Sequence, residues 1–204
     1  SIHLNVANET TKEQTVTVRW SLRDSSSAVI GEEHEEVVTV PALSSVWLDK
    51  VDLPQARIQE DHVTYTCIKD GVVISEGSVL FSMPKFYEYA NPGLTVSVDG
   101  DEILVTSQAY AGNVELLNEE EDWVLSDNYF DMEAGEKRVK ILSGKADKIR
   151  VRSIYDIGAN FAKDADFRIN PDNYSLKNVF LVYPFGKQRK LLNNFAFYIR
   201  GDLN

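Results

Sequence analysis

Cysteine is almost absent from this 204-residue chain. Cys67 stands alone, so no internal disulfide forms and nothing points to an oxidising compartment. Histidine is nearly as scarce. His3, His34 and His62 lie on three separate segments with no HxH, HExxH or CxxC spacing, so surface or internally satisfied imidazoles are expected rather than a metal site. No apolar run approaches the roughly 18 residues of a membrane helix. Basic charge is short as well. The 21 Lys and Arg against 32 Asp and Glu leave a net charge of −11, which argues against a phosphate backbone or an anionic bilayer as partner. There is no Gly-rich phosphate loop and no GxSxG elbow. No cofactor, metal, nucleic acid or membrane partner is therefore expected. A soluble protein is, with the cytoplasm favoured over periplasmic or secreted locations. With no initiator Met, and with Ser1–Val6 already reading as a strand, the chain is expected to begin inside a fold, as a fragment or processed product would.

What the sequence has in quantity is period-2 alternation. Val16, Val18, Trp20 and Leu22 point one way and Thr15, Thr17, Arg19 and Ser21 the other, the pattern of a half-buried strand. Residues 36–40, 46–53, 63–68 and 72–81 read as further strands. Asp24-Ser25-Ser26-Ser27, Pro41 and Pro54 separate them, and Asp70-Gly71 predicts a tight hairpin. Residues 83–93, MPKFYEYANPG, read as a junction in which Phe86, Tyr87 and Tyr89 pack between two domains. The pattern then restarts at 94–98, turns at Asp99-Gly100, and continues through 103–107, 114–117, 123–125, 129–132, 139–142 and 149–155. The fold class is thus all-β: two tandem immunoglobulin-like antiparallel sandwiches over 1–83 and 84–157, with an unplaced C-terminal tail over 158–204. Residues 159–204 carry seven Lys and Arg against four Asp, so the charge divides into −14 before them and +3 within them. In that tail, 178–183 and 194–200 are candidates to pair across Pro184-Phe185-Gly186.

Candidate chemistry is sparse. Cys67, in phase with Val63 and Tyr65, is expected to be a small core residue. The run Glu119-Glu120-Glu121-Asp122 lacks the alternating ligands and the Gly of a calcium loop and reads as a solvated loop. A glycosidase carboxylate pair needs two acids facing each other across a cleft at about 5–10 Å, which small sandwiches seldom form unaided. A sugar platform of exposed aromatics is the remaining option, with Trp47, Trp123 and Tyr129 as candidate carbohydrate-binding residues and Tyr87 and Tyr89 beside them. The competing assignment puts these rings in the cores and the junction.

One segment, Leu125–Ile141 (LSDNYFDMEAGEKRVKI), carries more information than the rest. It reads as a strand, a Glu133–Glu136 turn that requires Gly135, and a return strand, with Tyr129, Val139 and Ile141 as core residues. It resembles the terminal immunoglobulin-like domain of the β-mannosidases of glycoside hydrolase family 2. The Pro84-Lys85 start and the Ser126–Asp131 run are its most specific pieces. The opening, LNVANETTKEQTVTVRWSLRD, is similar to the sandwich that follows the catalytic barrel in the same family. The resemblance covers 1–157. Met132-Glu133-Ala134 stands where Leu-Leu-Pro is commoner, which leaves room for a related family 2 parent such as an exo-glucosaminidase. The resemblance implies a parent that hydrolyses terminal β-mannosidic bonds with two Glu on a barrel. No residue here matches either catalytic motif, so no catalytic residue is assigned. The chain is expected to be a non-catalytic accessory scaffold, with that barrel as its partner in cis. A stand-alone carbohydrate-binding or adhesion module, with glycan as partner, is the alternative. A structural spacer in a cell-surface protein is a third.

Overall fold

The computed structural model describes residues 1–120 and 122–157. The pairing expected within 158–204 lies outside the described residues. The strands run β1 (Asn5–Asn8), β2 (Gln14–Asp24), β3 (Val29–Val40), β4 (Ser44–Trp47), β5 (Asp61–Lys69) and β6 (Val72–Leu80). A 3₁₀ turn at Pro84–Phe86 follows. Then come β7 (Thr95–Asp99), β8 (Glu102–Ser107), β9 (Ala111–Leu117), β10 (Val124–Leu125), β11 (Phe130–Met132), β12 (Gly135–Ser143) and β13 (Arg150–Arg152). Every pairing recorded between these strands is antiparallel. The architecture is the all-β, tandem immunoglobulin-like one that the alternation predicts.

The chain divides into two compact units. Ser1–Gln14 and Thr39–Pro54 belong to one, and Thr15–Val38 with the described residues from Gln55 onward belong to the other. In the smaller unit β1 pairs with β4, Asn5 opposite Trp47. The strand expected over 46–53 stops at Trp47, and beyond it a Leu48 N–H bond to the Leu4 carbonyl and the bridge between Ile2 and Val51 continue the pairing. Ile2, Val40 and Leu48 are buried. Asn8 is buried too, and its side chain ties the local loop together. Nδ2 donates to the carbonyls of Lys12, Val40 and Pro41 at 2.8, 3.1 and 3.0 Å, while Oδ1 accepts from the Thr10 amide and hydroxyl. The Asn8-Glu9-Thr10 triplet, which has the form of a glycosylation sequon, is therefore a structural turn with its amide nitrogen committed.

In the larger unit, one sheet has the order β3-β2-β5-β6. Val16, Val18, Trp20 and Leu22 are all buried, as their alternation requires, together with Val38 and Val63. The β5–β6 hairpin turns at Asp70 and Gly71, both at positive φ (50° and 78°), the two-residue turn whose twist matches the strands. Gly77 lies opposite Tyr65, and a Cβ there would stand 2.6 Å from the tyrosine hydroxyl, so the ring needs the bare backbone. Edge strand β3 carries Glu32, Glu33, Glu35 and Glu36, charge that discourages edge-to-edge pairing. Cys67 is half-buried rather than a core residue, and burial raises its thiol pKa.

Two further sheets, β10-β12-β8-β7 and β11-β9-β13, make the second sandwich. Both contribute to one apolar core of Ile103, Val105, Ala111, Val114, Leu116, Phe130, Met132 and Val139. β11 and β12 are consecutive but do not pair. β11 bonds to β9 and β12 to β8, so the turn between them carries the chain from one sheet to the other. Gly135, the first residue of β12, leaves that turn at φ 140°, a conformation L side chains rarely adopt. Tyr129, expected in the core, is 49% exposed; its φ of 63° swings the backbone so that Phe130 enters instead. Val139 is fully buried and Ile141 packs against the core. Leu116, 1% exposed in this core, is the side chain whose truncation is most informative. Leu116→Ala is expected to lower the unfolding free energy by about 2–5 kcal/mol, read as a reduced urea midpoint at unchanged slope.

Candidate functional site

The β3-β2-β5-β6 sheet and the second sandwich belong to the same compact unit, and a polar cluster joins them. It begins at the turn before β5. The Asp61 carboxylate, fully buried, accepts from the Arg57 backbone N–H at 2.7 Å and from Arg57 Nη2 at 2.6 Å, closing the turn. Arg57 also bonds Glu60 closely. Asp61 raises the Arg57 pKa, so the guanidinium stays charged. This turn presents two carbonyls to the junction that follows β6. Gln59 O accepts from the Glu88 N–H at 2.6 Å, and Glu60 O from the Tyr87 hydroxyl at 2.8 Å.

His62, the next residue, is fully buried at the centre of the cluster. Its Nδ1 lies 2.8 Å from the Tyr87 hydroxyl and its Nε2 lies 2.8 Å from Glu133 Oε1. The Tyr110 ring stacks on the imidazole with centroids 4.0 Å apart, and Tyr87 meets it edge-on at 5.9 Å. Tyr89 stacks behind Tyr110 at 6.0 Å. Of the three junction aromatics, Tyr87 and Tyr89 therefore pack inward, whereas Phe86 is exposed, with Lys85 Nζ 4.6 Å from its ring centre.

A second chain of hydrogen bonds runs beside the first. Asp131 only accepts, so the Ser78 hydroxyl donates to its Oδ2 at 2.6 Å, and the Tyr110 hydroxyl donates in turn to Ser78 at 2.7 Å. Asp131 Oδ1 accepts from the Asn113 N–H at 2.8 Å. The Ala134 N–H donates to Ser27 Oγ at 2.8 Å, and the Tyr110 N–H to the Ser25 carbonyl at 3.2 Å. Burial first, then the neighbouring carboxylates, pushes the Tyr87, Tyr89 and Tyr110 pKa values well up, so these phenols stay protonated.

Above the cluster lies a cleft of about 330 Å³ lined by Arg23, Tyr65, Ser78, Asp131, Glu133 and Lys137 among others. Its charges are largely engaged with one another. Arg23 bonds Ser21, Thr64, the Ser27 carbonyl and Glu33, and Lys137 pairs with Glu76 and Asp127. Among the described residues, no group of three His, Cys, Asp or Glu could hold a metal ion. No helix among them is long and apolar enough to cross a membrane.

The three candidate sugar-binding residues have separate neighbours. Trp47, in the smaller unit, is 49% exposed and tilted against His3 with ring centres 4.5 Å apart. Trp123 packs against the core of the second sandwich, with its backbone pressed on Gly144. Tyr129 is half-exposed and its hydroxyl donates to Glu115 at 2.7 Å. Residues 119, 120 and 122 of the acidic run are exposed, and Glu119 pairs with Lys148 at 2.5 Å. The His62–Glu133 pair was not legible in the sequence: its members are 71 residues apart and no spacing motif joins them.

Fold and cluster together define a tandem of immunoglobulin-like β-sandwich domains. Residues 1–85 match the family model of the Mannosidase Ig/CBM-like domain, and residues 89–157 match the Ig-fold domain model named for mannosidases. The chain is similar in fold to a β-D-mannosidase from Dictyoglomus thermophilum, with a TM-score of 0.57 and 16% identity, over 73% of this chain and 20% of that one. It is also similar to the exo-chitosanase CsxA from Amycolatopsis orientalis, with a TM-score of 0.52 and 12% identity, over 74% of this chain and 24% of that one. The chain thus spans about a quarter or less of the length of either structure. A comparison with curated protein sequences finds no match.

Removing the Tyr87 hydroxyl would leave the part-buried Glu60 carbonyl and the buried His62 Nδ1 without this partner. Tyr87→Phe is therefore expected to cost about 1–3 kcal/mol of unfolding free energy, measured by urea denaturation, with the far-ultraviolet dichroism of the folded state unchanged.

Proposed function

We propose that this chain is a non-catalytic accessory pair from the C-terminal part of a family 2 glycosidase, most specifically a β-mannosidase, and does no chemistry by itself. The observation that carries the reading is the order of the two domains. A Mannosidase Ig/CBM-like domain is followed within a few residues by a mannosidase-type Ig-fold domain, at 1–85 and 89–157. The β-mannosidase and exo-chitosanase that share the fold are larger than this chain, which fits an appended pair rather than a whole enzyme. In this reading the domains divide at 83/84, with 158–204 lying beyond the second sandwich. The role of the pair is to pack against the catalytic barrel in cis and stabilise it. The cluster fits that role, with Asp131 bonded to Ser78 and Asn113 and Glu133 to His62.

The purified chain is expected to release no nitrophenol from 4-nitrophenyl β-D-mannoside, and the parent enzyme lacking residues 1–157 is expected to unfold at a lower temperature than the intact one. Hydrolysis by the chain alone, or a truncated parent with unchanged melting temperature and activity, overturns the proposal.

The exposure of Trp47 and Tyr129 favours a second reading, a carbohydrate-binding or adhesion module. The accessory reading predicts no heat of binding when mannan is titrated into the chain in a calorimeter. Measurable binding that Trp47→Ala or Tyr129→Ala abolishes would establish the second reading instead.

A further inference from the structure

We infer that the cleft above the polar cluster is a binding site for one uncharged, polyhydroxylated small molecule the size of a single hexose. The site is separate from Trp47 and Tyr129, and it does not depend on which parent protein the chain belongs to.

Strand register builds one wall of the cleft. Thr64 stands opposite Ser21 and Ser78, and Thr66 opposite Arg19 and Glu76, so a polar row of the β3-β2-β5-β6 sheet shares the face that carries Arg23. The β11–β12 connection, from Asp131 to Lys137, is the other wall. Both walls lie in one compact unit. A volume of about 330 Å³ is at the small end of ligand sites, which run from about 300 to 1,000 Å³. It takes one six-carbon ring and excludes the interior of a polysaccharide chain.

The charge of the ligand follows from which groups are already spent. Arg23 holds Glu33 at 2.8 Å, and Lys137 holds Asp127 at 3.0 Å and Glu76 at 3.3 Å. An anion would have to displace these internal carboxylates. Glu133 Oε1 lies 2.8 Å from His62 Nε2, and Asp131 accepts from Ser78 and the Asn113 N–H. Glu136, the remaining acid of the lining, is exposed, where an ammonium gains little. A neutral ligand is left.

The groups with capacity to spare set its chemistry. Glu133 Oε2 is buried and has no partner among the described residues. Neither the Thr66 hydroxyl nor the Glu136 carboxylate has a bonding partner among them. Lys137 carries three hydrogens and has two carboxylates, so one hydrogen is left over. A ligand meeting these groups must donate to Glu133 Oε2 and Glu136 and accept from Lys137, while Thr66 on the facing wall can do either. The hydroxyl is the neutral group that donates and accepts from one atom, and a ring bearing several presents them on both edges. Met132 and Ala134 also line the cleft and offer apolar wall to the C–H groups of such a ring.

On the full chain, titration with D-mannose or D-glucose is expected to move the Thr66, Ser78 and Glu136 amide NMR signals along one saturable curve. At ordinary ligand efficiency a hexose binds with a Kd on the order of 1 mM. Mannan at the same sugar concentration is expected to move none of these signals. Thr66→Val and Glu136→Ala each remove one hydrogen-bonding group, and each is expected to weaken binding about fivefold. Trp47→Ala and Tyr129→Ala are expected to leave it unchanged. No saturable shift with either sugar, shifts centred on Trp47 or Tyr129, or Thr66→Val and Glu136→Ala variants that bind as the wild type does overturns the site. Binding of D-glucosamine alone, abolished by added salt, overturns the assignment to a neutral ligand. If Thr66→Val does not fold, Glu136→Ala, a change at an exposed position, decides.

Discussion

A fully buried imidazole has two nitrogens and no water, so each nitrogen must find a protein partner of the right kind. At His62 this requirement organises everything around it. Satisfying Nδ1 fixes the Tyr87 hydroxyl, and that hydroxyl is itself fixed by the Glu60 carbonyl, which the Arg57–Asp61 turn presents. Satisfying Nε2 brings in Glu133, and with it the turn that carries the chain between the two sheets of the second sandwich. Three segments far apart in sequence thus converge on one ring. Tyr110 and Tyr89 close over that ring because a hydrogen-bonded imidazole still presents a flat apolar face.

The segment that labels the family therefore has a physical task. Gly135 at φ 140° lets β12 leave the turn toward the opposite sheet, and Tyr129 at φ 63° puts Phe130 in the core. Between these two points the chain has only Asp131 to Ala134 in which to face the neighbouring sheet. Asp131, Glu133 and the Ala134 N–H all do so, reaching Ser78, His62 and Ser27. An aromatic-acidic run before a glycine turn is what a crossing between sheets demands when the crossing is also a docking point.

The strands were legible because alternation is a local signal. Val16, Val18, Trp20 and Leu22 need only a sheet with one dry face, and Asp70-Gly71 needs only two residues that tolerate positive φ. Val46–Leu53 misled because an apolar pattern does not say how far a partner strand continues. Tyr129 and Phe130 illustrate a sharper limit. Neighbouring aromatics in a strand point to opposite faces, and one residue at positive φ reverses which of them is inside. The cluster itself lay beyond local reading. Whether an isolated histidine is exposed or satisfied depends on partners 25 and 71 residues away. The acidity of Asp131 and Glu133 was visible, but what they bond to was not.

A polar seam is a costly way to hold two elements together if stability is all that counts. Apolar residues of the same volume in place of a buried charged pair commonly leave a protein as stable or more so. What hydrogen bonds add is direction. An apolar contact tolerates a shift of an ångström with little loss, whereas the chain from the Glu60 carbonyl through Tyr87 and His62 to Glu133 has three links of 2.8 Å and admits one arrangement. The apolar cores of the sheet and of the second sandwich already supply the favourable burial. The seam can then be polar because its task is to fix orientation, and breaking one link leaves the others with unpaired buried groups. In the accessory role proposed above, a pair docked against a larger neighbour is served better by this division than by a wholly apolar joint. The apolar cores make each element fold, and the polar chain makes them dock in one way.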